Sequence, residues 1–174
     1  MMRMSSGLTL LELLIVILVL GLTTATAVPA MNQLLQDHRE AAATNLLIGS
    51  IKEARQTSAR LGVPVSLCPS RDGRECSQDD GDWAQGWLIY RQREARGPRD
   101  LFDESQILQH VDQAVPGLEA NRAIFTLRTD GRRSTNGSFF FCDDDAAEEH
   151  AVVINVAGRA RKVSEGDPRP GNPC

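Results

Sequence analysis

The stretch Gly158-Arg159-Ala160-Arg161-Lys162 sets three cations behind a glycine near the C-terminus. On a strand, Arg159 and Arg161 share a face, because side chains alternate. Gly158 permits a tight turn just before them. Two guanidiniums on one edge suit phosphates, which they bind bidentately. The same charges also suit a solvated edge strand, where they block edge-to-edge pairing. Arg132, Arg133 and Arg169 are further cations for such a patch. The acidic run Asp143-Asp144-Asp145 with Glu148 and Glu149 would repel a polyanion if it lay nearby.

At the other end, Glu12 interrupts a run that is otherwise apolar from Leu8 to Ala30 apart from a few threonines. About 20 such residues suffice to cross the hydrocarbon core as a helix. A carboxylate there costs about 2.5–3.5 kcal/mol, so it calls for a partner. Arg3 is the one charged side chain before the run, and it favours a cytoplasmic N-terminus. The rest of the chain then lies across the membrane. Ala25-Thr26-Ala27 has the small residues of a signal-peptide cleavage site, but Glu12 sits inside what would be its apolar region.

The cysteines are Cys68, Cys76, Cys142 and Cys174, all after the apolar run. An even number so placed predicts disulfides and an oxidising compartment, and sequence leaves all three pairings open. The 68–76 spacing is too wide for the close pairs of a zinc site, and no histidine pair accompanies it. Of the histidines His38, His110 and His150, His38 sits on the helix with no readable partner and His150 follows the acidic run. The clusters Asp79, Asp80, Asp82 and Asp143–Glu149 lack the spaced ligands of a calcium loop and are expected as solvated loops. With no catalytic constellation, no metal site and no phosphate-binding glycine loop, an enzyme is not expected, nor a cofactor. The formal net charge of -4 argues against a general nucleic-acid coat.

These residues need elements to position them, and 174 residues suit one globular domain plus an appendage. Ala43, Leu47, Ile51, Ala54, Ser58 and Leu61 recur at helical spacing, so residues 31–61 continue the apolar segment as an amphipathic helix. Arg39, Glu40, Lys52, Glu53, Arg55 and Arg60 lie mostly off that stripe. Gly62 and Pro64 end the helix. Strands are expected at 63–67, 86–92, 106–111, 124–128, 138–142, 151–156 and 160–163, separated by turn residues such as Asn136-Gly137 and Gly158. A long helix followed by strands predicts an α+β fold with an antiparallel sheet. Trp83 and Trp87, at a strand start, are expected as packing residues rather than as a binding platform.

Gly7-Leu8-Thr9-Leu10-Leu11-Glu12-Leu13-Leu14 resembles the class III signal of type IV pilins. The resemblance implies that a prepilin peptidase cuts between Gly7 and Leu8 and methylates the new N-terminus. The family usually has phenylalanine or methionine where this chain has Leu8. Glu12 matches the family's hallmark glutamate, and Pro29 falls where pilins carry a helix-kinking proline. Once cut, Leu8 would present a free ammonium that Glu12 of a neighbouring subunit can pair with. In low dielectric that pairing offsets part of the desolvation cost and sets axial register.

The globular part resembles the GspH/FimT family, including the FimU-like minor pilins. The residues concerned are Val65-Ser66-Leu67-Cys68-Pro69-Ser70, Asp72-Gly73, Cys76, Asp82-Trp83, Gly86-Trp87-Leu88-Ile89-Tyr90, Phe139-Phe140-Phe141-Cys142-Asp143 and Gly158-Arg159-Ala160-Arg161. Residues 91–122 match least. The resemblance implies a pilin fold, with a leader at 1–7, a transmembrane helix at 8–30, its amphipathic continuation at 31–61 and a periplasmic β-rich domain at 62–174. It implies disulfides Cys68–Cys76 and Cys142–Cys174. It further implies a minor pilin near the tip of a type IV pilus, held in the inner membrane until assembled with other major and minor pilins. Gly158 to Arg161 resembles the Gly-Arg-x-Arg motif of FimT-type pilins that bind double-stranded DNA in natural transformation, with Arg159, Arg161 and Lys162 as contacts. The alternative is a type II secretion pseudopilin, GspH-like, that contacts secreted proteins.

Overall fold

The computed structural model describes residues 9–77, 83–92, 104–130, 132–142 and 150–163. Among the described residues one α-helix, α1 (Leu10–Leu61), is followed by eight strands and a short 3-10 turn at Glu104–Gln106. The chain divides into two units between Ala42 and Ala43.

The start of α1 has a cap. Thr9 Oγ1 accepts from the Glu12 N–H at 3.3 Å, and Glu12 lies in the first turn. That spacing is the capping box, and a carboxylate there also suits the positive end of the helix dipole. From Leu10 to Leu22 the helix carries apolar side chains on every side, Glu12 excepted. Every large apolar side chain between positions 10 and 22 is exposed, from 48% at Val16 to 79% at Leu10. Thr23 and Thr24 turn their hydroxyls back onto the Val19 and Leu20 carbonyls at 3.0 and 2.8 Å. Those hydroxyls need no water. The helical backbone runs unbroken through Pro29. Among the described residues no helix is long and apolar enough to cross a membrane; the expected span begins at Leu8, outside those residues.

In the second unit the helix becomes one-sided. Leu47, Ile51, Ala54 and Ser58 are fully buried, whereas Lys52, Glu53 and Gln56 are exposed. The helix ends where Gly62 takes a φ of 68°, with its N–H on the Ser58 carbonyl at 2.9 Å. This is a left-handed C-cap that favours glycine.

The strands are β1 (Val65–Pro69), β2 (Trp87–Arg91), β3 (Ile107–Val111), β4 (Leu118–Ala120), β5 (Phe125–Leu127), β6 (Gly137–Phe141), β7 (Ala151–Ile154) and β8 (Ala160–Val163). They form two four-stranded antiparallel sheets, ordered β3-β2-β1-β5 and β4-β6-β7-β8. The fold is the expected α+β arrangement, with two sheets in place of one. β1 begins two residues later than expected because Val63 and Pro64 finish the helix turn. Ser58 Oγ bonds the Val63 carbonyl, and Gln92 N–H bonds that of Pro64. β7 stops at Ile154 because Asn155 opens a turn. β4 was not expected at all: three residues show no measurable period, and its pairing with β6 is what makes it a strand.

Both sheets feed one core. Phe125 of β5 stacks on Phe139 of β6, with centroids 4.5 Å apart. Trp83 meets both edge-on, at 5.7 and 4.8 Å, and its indole N–H donates to the Arg122 carbonyl at 3.2 Å. Trp83 and Trp87 are thus packing residues, each with no exposed surface.

The outer face of the first sheet is also covered. Cys68, Leu88 and Tyr90 form a second cluster with Cys76, Ile107 and Ile124. Cys68 and Cys76 are joined by a disulfide, Cα–Cα 5.6 Å. Cys142 is likewise disulfide-bonded; its expected partner Cys174 lies outside the described residues. Within the short disulfide loop, Asp72 accepts from the Arg74 and Glu75 N–H groups at 2.9 and 3.3 Å. The bond from Arg74 is the main cause that holds its carboxyl below the usual range.

Burial pushes the Tyr90 phenol above its ordinary value, partly offset by a hydrogen bond with Ser66. A raised phenol pKa leaves stability intact below the unfolded value of about 10, and loses it as pH rises through the folded value. Tyr90 is the single tyrosine, so tyrosinate absorbance reports it alone. The native chain should titrate at higher pH than the chain in denaturant. Tyr90→Phe should flatten the alkaline loss of stability. Titration at the denatured value in the native chain would contradict this burial.

Candidate polyanion interface

The basic stretch folds as the β7–β8 hairpin. Its turn, 155–159, is tight for identifiable reasons. The Asn155 N–H donates to the Arg159 carbonyl at 3.1 Å, and the Gly158 N–H to the Asn155 carbonyl at 2.8 Å. Asn155 Oδ1 accepts from the Ala157 and Arg159 N–H groups, each at 3.0 Å. An asparagine that bonds its own following backbone is a turn former. Gly158 has a φ of 69°. A side chain there would be strained and would also meet Ser134 Oγ at 3.0 Å.

β8 lies at the edge of its sheet. Val152 and Ile154 enter the core, and Ala160 packs against it. Arg161 pairs with Val153 and so occupies the opposite face. Lys162 pairs with Val152, which puts it on the other side of the pleat from Arg161. Arg159 lies in the turn, just before β8. All three are exposed.

The turn leans on the β5–β6 loop. Ser134 N–H donates to the Val156 carbonyl at 3.0 Å, and the Ser134 hydroxyl accepts from the Arg128 N–H at 3.0 Å. This loop carries Arg128, Arg132 and Arg133. Asp130 approaches Arg128 at 3.8 Å and Arg132 at 3.9 Å. Such long exposed pairs contribute little. Segments 128–134 and 155–163 carry six cationic side chains and one carboxylate, that of Asp130, so these described segments are net positive on a chain of net negative charge. Sequence could not place Arg132 and Arg133; the Ser134–Val156 bond does.

A further contact was not expected. Arg55, on α1, donates from Nε to the Ala157 carbonyl at 3.1 Å, and its Cδ lies beside Gly158. Helical spacing marked Arg55 only as off the apolar stripe. Asn155 was also missed, although an asparagine three residues before a glycine is a readable turn signal.

Several expected residues fall elsewhere. Gly7, Leu8, Cys174 and Arg169 lie outside the described residues, as do Asp79, Asp80, Asp82 and the acidic run 143–149. His38 is exposed. His150 is buried, bonded through Nε2 to Thr44 Oγ1 at 2.9 Å and stacked on Phe141 at 4.4 Å. Among the described residues no group of three or more His, Cys, Asp or Glu is placed to hold a metal ion.

An amphipathic helix sealed under two antiparallel sheets defines a pilin-like globular head. Residues 43–158 match the family described as Type II transport protein GspH, and the chain belongs to that family of pilins and pseudopilins. The fold is similar to that of the type IV minor pilin FimU of Pseudomonas aeruginosa strain PAO1 in two crystal forms. In space group P21 the TM-score is 0.53 at 16% identity, covering 76% of this chain and 93% of that one. In P65 it is 0.50 at 16% identity, covering 73% and 94%. At that identity the likeness concerns the fold alone. No curated protein matches the sequence.

Proposed function

We propose that this protein is a minor pilin of a type IV pilus, a structural subunit that helps to initiate the filament near its tip. The observation that carries the reading is the first part of α1, apolar on every side and exposed in the isolated chain. A helix apolar all round needs an apolar surround. In the inner membrane, lipid supplies it; in a filament, neighbouring subunits do. The threonine hydroxyls bonded within the helix fit both surroundings. The leader 1–7 is removed by a prepilin peptidase at Gly7–Leu8, and Glu12 then pairs with the Leu8 ammonium of a neighbouring pilin, setting register. The partners are other major and minor pilins.

Mass spectrometry of the chain in sheared filaments tests this reading. The expected product begins at N-methylated Leu8. A periplasmic product that begins at Val28 would contradict it.

A second reading, compatible with the first, is that the positive end binds double-stranded DNA. What supports it is the β7–β8 hairpin, with Arg159 exposed in its turn and Arg161 exposed on β8, beside the arginine-bearing β5–β6 loop. The family's description, Type II transport protein GspH, keeps a secretion pseudopilin as the alternative. Titration of the full chain in neutral detergent with duplex DNA, at several salt concentrations, separates them. Two or three phosphate contacts predict weak binding with a log–log salt slope of roughly -2 to -3. Arg159→Ala/Arg161→Ala should abolish it. If the parent chain does not bind at low salt, the hairpin arginines are surface charges and the DNA reading fails.

A further inference from the structure

We propose that Arg55 is a positioning residue for the polyanion site: its hydrogen bond to the Ala157 carbonyl locks the turn that presents Arg159 and Arg161. The inference rests on the DNA reading above and concerns how that same site is held.

Three ties converge on five residues of turn. Asn155 Oδ1 closes the turn on itself through the Ala157 and Arg159 N–H groups. Ser134 N–H fastens Val156 to the β5–β6 loop. Arg55 Nε fastens Ala157 to the helix, 102 residues away in sequence. The first tie is local and shapes the turn. The second links it to another loop. The third alone anchors it to α1, the element that carries the buried seam Leu47, Ile51, Ala54 and Ser58.

The chemistry explains why the third tie bears on binding. A guanidinium on a loose loop must be immobilised when it meets a phosphate, and that ordering opposes binding. Fixing the turn in advance removes part of that cost. Arg55 can do so because an ionised donor makes a stronger bond to a carbonyl than a neutral one. Gly158 leaves room for it: a Cβ at that position would lie 3.5 Å from Arg55 Cδ and closer still to Ser134 and Leu127. The glycine conformation and the arginine contact are therefore one arrangement. Arg55 acts through the turn, so it adds no phosphate contact of its own.

Two substitutions separate the bond from the charge. Arg55→Met keeps the side chain out to the ε position and places a methyl where Nε was. Arg55→Gln places a neutral N–H donor at that same position. Both are made in the full chain in neutral detergent and titrated with duplex DNA at several salt concentrations. Amide exchange of Gly158 and Arg159 is followed without DNA. Arg55→Met should weaken binding about three- to tenfold with the salt slope unchanged, because the number of phosphates neutralised is the same. Exchange at Gly158 and Arg159 should quicken while that of Leu67 and Ile89 in the core does not. Arg55→Gln should restore most of both. Parent-like affinity in Arg55→Met would overturn the proposal. So would a salt slope shallower by about one, which marks a direct phosphate contact, or an Arg55→Gln chain that behaves like Arg55→Met. A parent chain that binds no DNA removes the DNA reading and this role together; parent binding with an unaffected Met variant removes this role alone.

Discussion

The contact between Phe125 and Phe139 is the joint on which the head depends. The two rings belong to different sheets and stack with Trp83 edge-on to both. Such pairs contribute about 0.5–1.5 kcal/mol each beyond the area they bury. Their larger effect is geometric. They hold β5 against β6, so the inner faces of both sheets and the helix seam share one core. β1 shows the consequence: all five of its residues are buried, because the disulfide loop covers its second face. The β7–β8 hairpin inherits its position from the same joint, since the β5–β6 connection supplies the Ser134 that receives its turn.

The helix meets two different demands along one backbone. In its first part apolar side chains point every way, the Glu12 N–H is capped by Thr9, and the Thr23 and Thr24 hydroxyls bond within the helix. From Ala43 onward small and apolar residues keep to one side, as the sheets require, and charges take the other. Alanine and serine at 43, 54 and 58 admit close approach, where larger residues would hold the helix off.

Much of this was legible in the sequence, for reasons that can be named. The apolar run with one carboxylate and the later 3.6-residue stripe are long enough for periodicity to speak, and the helix ends at Leu61 as Gly62 implies. β8 falls at the expected residues because its turn glycine marks its start. Other parts were not legible. β4 has three residues and is defined by its partner. β1 shows no alternation because both its faces are buried. That there are two sheets follows from which strands pair, which no local pattern encodes. At the hairpin, the strand that carries Arg161 was readable, and so was the glycine of its turn. The support from Arg55 and Ser134 was not, because it joins segments far apart in the chain.

On the proposed function, the apolar first part of α1 decides where the protein works. Carbonate extraction of membranes from cells that make the full chain examines that claim directly. The protein should remain in the carbonate-washed membrane pellet and dissolve only with detergent. A full-length chain recovered as a soluble monomer without detergent would contradict a membrane-anchored filament subunit.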